Sequence, residues 1–486
     1  MAQRKFWSDL IFVQGINVLI KTIWILVIDR AVQDILPSED YGTYYRLLSL
    51  SILFVIVLDL GLNSMNSREV AQNPSYMRAN FKSYFTAKIV LSCLYITILF
   101  FTAYIFQFTE KQWFLLLGLA AFQIINSFNQ YLRSNLAALH QFKMDGLLAV
   151  ADRLLVIFVC GSWLVIPSLK AYLTIENFVF VQLGGVALTW VIAFSVNLSK
   201  IKTIEPIYVH PNVFRLIKHS LPYALLITLM AVFTRIDAVM IGEMLGDTQT
   251  DRYARCYRLI DAANMMAALF SGMLLPMFAR MLTDSKAISN LAETATKVLI
   301  IPAIIVALII APHTADLLTL MYPNKTDIIP SDTFTLLGFS FIASASVFVF
   351  GTLLTAAAKL RTLNILALTA AATNVILNFI LIPTQGIKGA ALATLITQGI
   401  FAIGCLTYSY RSFDLKLQTK LVVKIILVLV VFASIFYGTM QFFNSSFVHI
   451  AFGVMLSALL VVGSGIINLN VLKNLKRRKT QNPSDN

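Results

Sequence analysis

Long apolar segments separated by short polar connections run along the whole chain. About fourteen of them approach the roughly 20 residues that a helix needs to cross a bilayer. An even number of spans places both termini on one side of the membrane. Their predicted limits are 8–32, 42–62, 83–106, 113–137, 147–167, 177–198, 220–245, 253–281, 297–318, 333–356, 361–382, 388–408, 421–443 and 447–471. The pattern predicts an all-α polytopic membrane protein with about fourteen transmembrane helices.

A short phrase occurs twice in the chain. Tyr-x-x-x-Tyr-Arg-Leu occupies residues 41–47 and 253–259, and Ile-Asp occupies 28–29 and 236–237 at nearly the same spacing. Repetition over this distance indicates two copies of one membrane module. We therefore expect two pseudo-symmetric six-helix lobes, followed by two extra C-terminal helices.

The predicted boundaries follow from this repeat and from the polar connections. They are 1–199 for the N-terminal lobe with spans 1–6, 200–219 for a cytoplasmic linker, 220–410 for the C-terminal lobe with spans 7–12, 411–472 for spans 13 and 14, and 473–486 for a basic cytoplasmic tail.

Composition agrees with a membrane protein and sets its orientation. The chain is 58% hydrophobic and 13% charged, yet its formal net charge is +14. Most Lys and Arg residues outside the spans lie in the loops on the side of the termini, which the positive-inside rule assigns to the cytoplasm. We expect a multi-pass membrane protein with both termini cytoplasmic. Nucleic acid is not an expected partner, because no soluble domain exists to carry it.

Motifs for catalysis are missing from the sequence. There is no phosphate-binding glycine loop, no HExxH and no nucleophile elbow, and the four cysteines lack CxxC spacing. We therefore expect no catalytic residues, no metal site and no cofactor, and a protein that is not an enzyme.

Basic residues lie inside predicted spans of both halves. Lys21, Arg46, Arg235 and Arg258 fall in spans one, two, seven and eight, the equivalent helices of the two lobes. Such residues are costly unless they face protein or water. Guanidinium groups bind phosphate through forked hydrogen bonds, so a shared basic cavity suits a phosphate-bearing substrate. Snorkelling to the membrane surface remains an alternative for Lys21, Arg46 and Arg258, as does a structural Arg258–Asp261 pair.

Polar residues at helical spacing mark one face of two spans. Span one carries Gln14, Asn17 and Lys21, and span four includes Gln130 and Arg133 in a similar stripe. These faces either line a wet cavity or hydrogen-bond to a neighbouring helix.

Acidic residues inside spans are candidates for coupling transport to H⁺ or Na⁺. The candidates are Asp59, Asp237 and Asp261. The alternative is that each is merely paired with a nearby Arg or Lys.

An ordered set of phrases resembles bacterial polysaccharide-export flippases. In the first half these are Asp40-Tyr-Gly-Thr-Tyr44, Leu58-Asp-Leu-Gly-Leu62 and Ser67-Arg-Glu-Val-Ala71. In the second half they are Arg235-Ile-Asp237, Arg258-Leu-Ile-Asp261 and the region from Asn374 to Ala391. The chain resembles the O-antigen and lipid-linked oligosaccharide flippase branch of the multidrug/oligosaccharidyl-lipid/polysaccharide exporter superfamily.

The resemblance implies a fold, an activity and site residues. It implies two six-helix lobes that form a V-shaped central cavity in a bacterial inner membrane. They would flip undecaprenyl-pyrophosphate-linked sugars between leaflets by alternating access. Arg258 and Asp261 match an Arg–acid spacing that matters in related lipid II flippases, Arg46 matches the Arg of span two, and Arg30 or Lys21 matches a cation late in span one. Expected partners are a polyprenyl-pyrophosphate-linked glycan and membrane lipids, together with a polysaccharide polymerase and glycosyltransferases.

Three other functions stay open at this point. The two extra C-terminal spans also fit a lipid II-type flippase. A cation-coupled multidrug exporter of the same superfamily requires an acidic, aromatic cavity, whereas Arg and Lys dominate here. A membrane polysaccharide polymerase or ligase requires a sizeable external loop for its catalytic residues.

Overall fold

Helices make up almost all of the protein. The computed structural model describes residues 15–203, 213–325, 330–415 and 419–466, so Gln14 and the predicted tail at 473–486 lie outside it. The helices are α1 (15–35), α2 (Ser38–Leu53), α3 (Leu62–Gln72), α4 (Ser75–Ile105), α5 (Glu110–Ala138), α6 (Phe142–Val165), α7 (Ile175–Thr203), α8 (Val213–Leu245), α9 (Asp247–Met281), α10 (Ser285–Met321), α11 (Ser331–Ala356), α12 (Leu360–Gln385), α13 (Ile387–Phe413), α14 (Thr419–Gly438) and α15 (Ser446–Gly463).

Ten helices of the described chain are long and apolar enough to cross a membrane. They are α4, α6, α7, α9, α10, α11, α12, α13, the segment Val423–Phe442 that begins within α14, and α15. The described residues contain no strand, which confirms the predicted all-α polytopic fold. Helix α7 continues to Thr203 and α8 begins at Val213, so both helices extend into the segment 200–219 that was predicted as a linker.

The hydrophobic residues form several buried cores. The first joins residues of α1, α2, α4, α5, α6 and α7 and also contains Ala238 and Val239 of α8 and Ala254 of α9, so it extends across the interface between the lobes. A C-terminal core joins α8 to α13. Helices α14 and α15 pack against α10, where Phe432 and Phe436 meet Ile305 and Ile309. This packing supports treating the last two spans as an addition to the C-terminal lobe.

Span two is interrupted, although the apolar pattern predicts one continuous helix over 42–62. Helix α2 ends at Leu53, a 3₁₀ turn covers Val55–Leu58, and Leu60 and Gly61 have positive φ angles of 43° and 82°. The prediction of a continuous span was therefore wrong. In the second half, the corresponding α9 runs without a break from Asp247 to Met281.

A buried lysine satisfies the backbone at this break. Lys88 of α4 is 1% exposed, and its Nζ donates to the Leu58 carbonyl (3.2 Å), to Asp59 Oδ1 (2.8 Å) and to Ser127 Oγ (2.8 Å). A broken helix inside a membrane requires such partners, because no water reaches its free carbonyl groups. Asp59 thus has a structural counter-ion.

The two lobes approach closely where α2 meets α8 and α9. A Cβ atom on Gly42 would lie 1.8 Å from the carbonyl oxygen of Asp247, and one on Gly242 would lie 2.1 Å from Cδ of Arg46. Glycine is required at both positions in this arrangement, because any other residue would place its Cβ atom against the facing atoms. The two glycines therefore set how near the lobes come.

We predict that Gly42→Ala opens this contact. The added methyl group overlaps a backbone oxygen, and overpacking of this kind costs about 1–3 kcal/mol. The neighbouring Thr43 is 7% exposed, so we expect a Thr43→Cys reporter, with the native cysteines removed, to react about tenfold faster with a hydrophilic maleimide.

Gly338→Ala is the matched control, since a Cβ there meets nothing within 4 Å. Both substitutions replace a helical glycine and change helix propensity equally. Equal labelling rates in the two variants would contradict the prediction.

We also predict that Lys88→Met destabilises the fold by about 3–5 kcal/mol, because it leaves the Asp59 carboxylate, which is only 19% exposed, without its counter-ion. Thermal unfolding of detergent-purified protein measures this loss. Lys111→Met, which breaks a pair with Asp40 at a lysine that is 50% exposed, should cost only about 0–1 kcal/mol. The double variant Lys88→Met/Asp59→Leu should recover stability; if it does not, the ion pair is not the cause.

Candidate functional site

The repeated phrase forms the same contact in both lobes. Tyr41 donates from its hydroxyl to Asp29 Oδ1 at 2.9 Å, and Tyr253 donates to Asp237 Oδ2 at 2.9 Å. All four side chains are buried. The two Tyr–Asp pairs confirm that the sequence repeat is also a structural repeat.

Arg258 crosses from the C-terminal lobe to the N-terminal lobe. Its guanidinium group pairs with the Asp29 carboxylate and donates to the Tyr41 hydroxyl, and Nη2 lies 3.4 Å from Gln33 Oε1. Arg258 is 6% exposed. The alternative pair with Asp261 is not formed, because Asp261 accepts from Arg235 instead.

Arg46 makes the matching contact in the opposite direction. Its Nη1 donates to Glu243 Oε1 at 2.7 Å, and its Nε lies 2.9 Å from Asp247 Oδ1. The Arg46 guanidinium also lies 5.6 Å from the ring centre of Phe108. An arginine from each lobe is therefore neutralised by carboxylates of the other lobe.

Further polar contacts surround these two arginines. Gln33 donates to Asp251 Oδ1 at 2.9 Å, and Asp34 accepts from the backbone N–H (3.0 Å) and side chain (2.6 Å) of Asn324. Arg30, the alternative to Lys21 in the predicted site, donates to the Met321 carbonyl. We call the interlobe set the latch; it consists of Asp29, Arg30, Gln33, Asp34, Tyr41 and Arg46 with Glu243, Asp247, Asp251, Arg258, Met321 and Asn324.

Arg235 borders a cavity of about 360 Å³ in the C-terminal lobe. Its Nη2 pairs with Asp261 at 3.3 Å, and its Nη1 lies 3.4 Å from the Tyr45 hydroxyl. Apolar side chains such as Phe233, Phe348 and Phe401 make up much of the lining, interspersed with neutral hydrogen-bonding groups. The Asn264 Oδ1 atom there is buried without a partner. The polar lining residues also include Thr234, Ser271, Ser344, Thr352 and Gln398.

Asp237 is buried among neutral groups. It accepts from Asn378 Nδ2 at 2.6 Å, from the Thr394 hydroxyl and from Tyr253, and it is 2% exposed. No ion pair to Asp237 is found within the described ranges, in contrast to Asp59 and Asp261. Asn378 Oδ1 is also buried and unpartnered. These oxygen atoms are of the kind that hard cations prefer.

The polar stripes predicted for spans one and four have mixed roles. Asn17 donates to the Gly146 carbonyl at 3.4 Å and Arg133 Nε pairs with Asp145 at 2.7 Å, so both contact α6. Gln130 is exposed. Lys21 forms no hydrogen bond or ion pair with the part of the chain that the structure describes.

Sequence reasoning missed several charged residues. Lys88 and Asp29 are buried, the side chains of Arg153 and Glu243 are 23% and 25% exposed, and each residue lies within or at the edge of a predicted span. Evaluating every ionisable residue in a predicted span would have identified them. No group of three or more His, Cys, Asp or Glu side chains that could hold a metal ion occurs in the described ranges.

Comparison with solved structures supports the fold. The lipid II flippase MurJ in an inward closed conformation matches with a TM-score of 0.67 at 15% identity, covering 96% of this chain and 99% of that chain. The MATE transporter VcmN of Vibrio cholerae, in its bent form, matches with a TM-score of 0.56 at 13% identity, covering 85% of this chain and 98% of that chain. A MOP superfamily transporter from Pyrococcus furiosus matches with a TM-score of 0.55 at 13% identity, covering 84% of this chain and 93% of that chain.

Comparison of the sequence with protein families identifies the chain. No curated protein matches it. The profile of one family, described as polysaccharide biosynthesis protein, matches residues 4–282, which is more than half of the chain. Together with the shared fold, this match confirms the resemblance drawn from the sequence phrases. The chain is a multi-pass membrane protein that belongs to the polysaccharide biosynthesis protein family.

Proposed function

We propose that the protein is a flippase that translocates undecaprenyl-pyrophosphate-linked oligosaccharide, such as an O-antigen unit, across the bacterial inner membrane by alternating access. The observation that carries the proposal is the exchange of buried arginines between the lobes. Arg258 is held by Asp29, and Arg46 is held by Glu243 and Asp247. Such a contact is stable only while both lobes meet.

The latch has two states, one with the interlobe ion pairs formed and one with them broken. When the lobes separate, Arg46 and Arg258 lose their carboxylate partners and are left as uncompensated charges, which is strongly unfavourable in a membrane. A diphosphate that binds the released guanidinium groups compensates for this loss. A ligand shifts a conformational equilibrium only through a difference in affinity between its states, and this exchange of partners provides one.

The cavity beside Arg235 suits the glycan. Its volume of about 360 Å³ lies within the range of about 300–1,000 Å³ for small-molecule sites. The amide and hydroxyl groups in its lining can bind sugar hydroxyl groups, and its apolar side chains can pack against the faces of the sugar rings. The polyprenyl chain, which is apolar, remains in lipid between the lobes. Membrane lipids are therefore partners of the same process.

Asp237 is the best candidate for ion coupling. Asp59 and Asp261 are paired with Lys88 and Arg235, whereas Asp237 is surrounded by amide and hydroxyl groups. An unpaired carboxylate inside a span has to be neutralised by a proton or a small cation. Binding of H⁺ or Na⁺ at Asp237 would link the C-terminal lobe to the ion gradient.

The distribution of basic loops supports the orientation. With both termini cytoplasmic, the latch faces the outer side of the membrane and the described conformation is closed there. Glycosyltransferases would then act before the flipping step, and a polysaccharide polymerase would act after it.

We predict that Arg46→Gln and Arg258→Gln each reduce surface glycan display by about tenfold or more in cells that lack the native copy, since each leaves a carboxylate of the other lobe unpaired. Lectin labelling of intact cells measures display. Lys111→Gln, which removes an exposed basic residue, is the control. Normal display in both arginine variants, with the protein present in the membrane, would falsify the proposal.

We further predict that Asp237→Asn uncouples transport from the ion gradient. In proteoliposomes, flipping by the native protein should respond to an imposed Na⁺ or H⁺ gradient, and flipping by Asp237→Asn should not. Asp332→Asn is the control, because Asp332 forms an exposed pair with Lys388. A gradient response that persists in Asp237→Asn would rule out Asp237 as the coupling residue.

A further inference from the structure

Two buried histidines meet where the C-terminal helices pack against α10. Nε2 of His313, on α10, lies 2.8 Å from Nδ1 of His449, on α15. The two residues are 3% and 1% exposed. The His449 ring is stacked on Phe436 of α14 with ring centres 4.2 Å apart, and His313 meets the same ring edge-on at 6.1 Å. We call His313, Phe436 and His449 the histidine joint, because three helices meet at these rings.

The hydrogen-bond partners determine which ring nitrogens carry hydrogen. Nε2 of His449 lies 3.0 Å from the Phe436 carbonyl oxygen, which can only accept, so this nitrogen is a donor. In a neutral ring, Nδ1 of His449 is then an acceptor, and Nε2 of His313 has to donate to it. Nδ1 of His313 therefore keeps a free lone pair, and it accepts no hydrogen bond from the described residues.

The titratable side chains that face this nitrogen from the described parts of α10, α14 and α15 are few. Asp316 Oδ2 lies 3.9 Å from Nδ1 of His313, and its side chain is 55% exposed. His449 faces it from α15, and Tyr437 of α14 donates its hydroxyl to the Leu308 carbonyl at 3.1 Å. An exposed carboxylate cannot lie in hydrocarbon, so Asp316 marks the depth of interfacial water. That depth is about one helical turn from His313.

Polar contacts are important for docking because lipid can replace the apolar ones. Phe432 and Phe436 pack against Ile305 and Ile309, but lipid chains are as apolar as these side chains and compete for the same surfaces. The side-chain hydrogen bonds between α10 and the C-terminal pair in the described chain are His313–His449, Tyr437–Leu308 and Ser446–Asp316. The attachment of α14 and α15 therefore depends on a small set of bonds, and the histidine joint is central to it.

A proton added to Nδ1 of His313 makes this buried ring a cation. Burial of a charge without a close counter-charge is unfavourable. Asp316 compensates little, because it is more than half exposed, accepts from Ser446 and lies beyond hydrogen-bond distance. When the helices separate, the ring reaches interfacial water and its charge is hydrated. The separated state therefore binds a proton more tightly than the docked state, and a ligand favours the state that binds it better.

We infer that the histidine joint is a proton-binding site, and that a proton on His313 releases α14 and α15 from α10. The proton comes from interfacial water and adds to the lone pair of Nδ1, so no covalent bond of the protein breaks. Release exposes the face of α10 that carries Ile305 and Ile309 to lipid. The inference is independent of the proposed function, since it uses neither the latch nor Asp237.

The test measures the distance between α10 and α15 by double electron–electron resonance in phosphatidylcholine nanodiscs. Spin labels are attached to Leu320→Cys and Met455→Cys of the full chain, with the native cysteines replaced; the two positions are 58% and 68% exposed. Labelling precedes the change of pH, so thiol reactivity does not enter. A hydrated histidine has a pKa of about 6.5. We therefore expect the ratio of separated to docked molecules to rise about tenfold from about pH 8 to about pH 5.5.

His313→Gln should abolish this response. Glutamine still offers an N–H group to Nδ1 of His449 but takes up no proton in this range. His140→Gln is the matched control, since it removes an exposed histidine of the N-terminal lobe, and its response should equal that of the native protein. Tautomers are checked without any substitution by ¹⁵N-histidine NMR at about pH 8, where His449 should carry its hydrogen on Nε2.

Three results would overturn the inference. The first is a distance distribution of the native protein that is the same at both pH values. The second is a pH response that persists in His313→Gln. The third is a ¹⁵N spectrum in which His449 carries its hydrogen on Nδ1. The first and third are measured on native histidines, so they apply even if His313→Gln folds poorly.

Discussion

The cost of placing charge inside a membrane governs this structure. Arg258 and Asp29 belong to different lobes, and each would be a costly isolated ion if the lobes separated. Their pairing, repeated by Arg46 with Glu243 and Asp247, ties the arrangement of the lobes to the neutralisation of charge. Any movement of one lobe relative to the other has to keep these ion pairs or provide each charged group with another partner.

The two halves use the same local motif for different purposes. Tyr41 and Tyr253 hold Asp29 and Asp237 at the same distance. Asp29 is then neutralised by an arginine of the other lobe, whereas Asp237 is surrounded by amide and hydroxyl groups of its own lobe. The repeated motif thus holds one carboxylate that pairs across the lobes and one that is hydrogen-bonded within its own lobe. The break between α2 and α3, absent from α9, adds to this asymmetry.

The sequence was sufficient for the all-α membrane architecture, but not for the contacts between its helices. Apolar length predicts spans because a bilayer has a fixed thickness, and the repeated phrase contains Arg46 and Arg258 but does not reveal their partners. The partner of Arg258 lies 229 residues away, and helix periodicity does not reveal which helices face each other. The break after Leu53 was missed because the residues around it are as apolar as those of a continuous helix.

The close approach at Gly42 limits how this interface can evolve. A charged pair can be exchanged or inverted through compensating changes at two positions. The atom opposite Gly42 is the backbone carbonyl oxygen of residue 247, which every amino acid possesses, so no substitution at 247 can make room for a side chain at 42. Related chains that close in the same way should therefore vary more readily at their ion pairs than at this glycine.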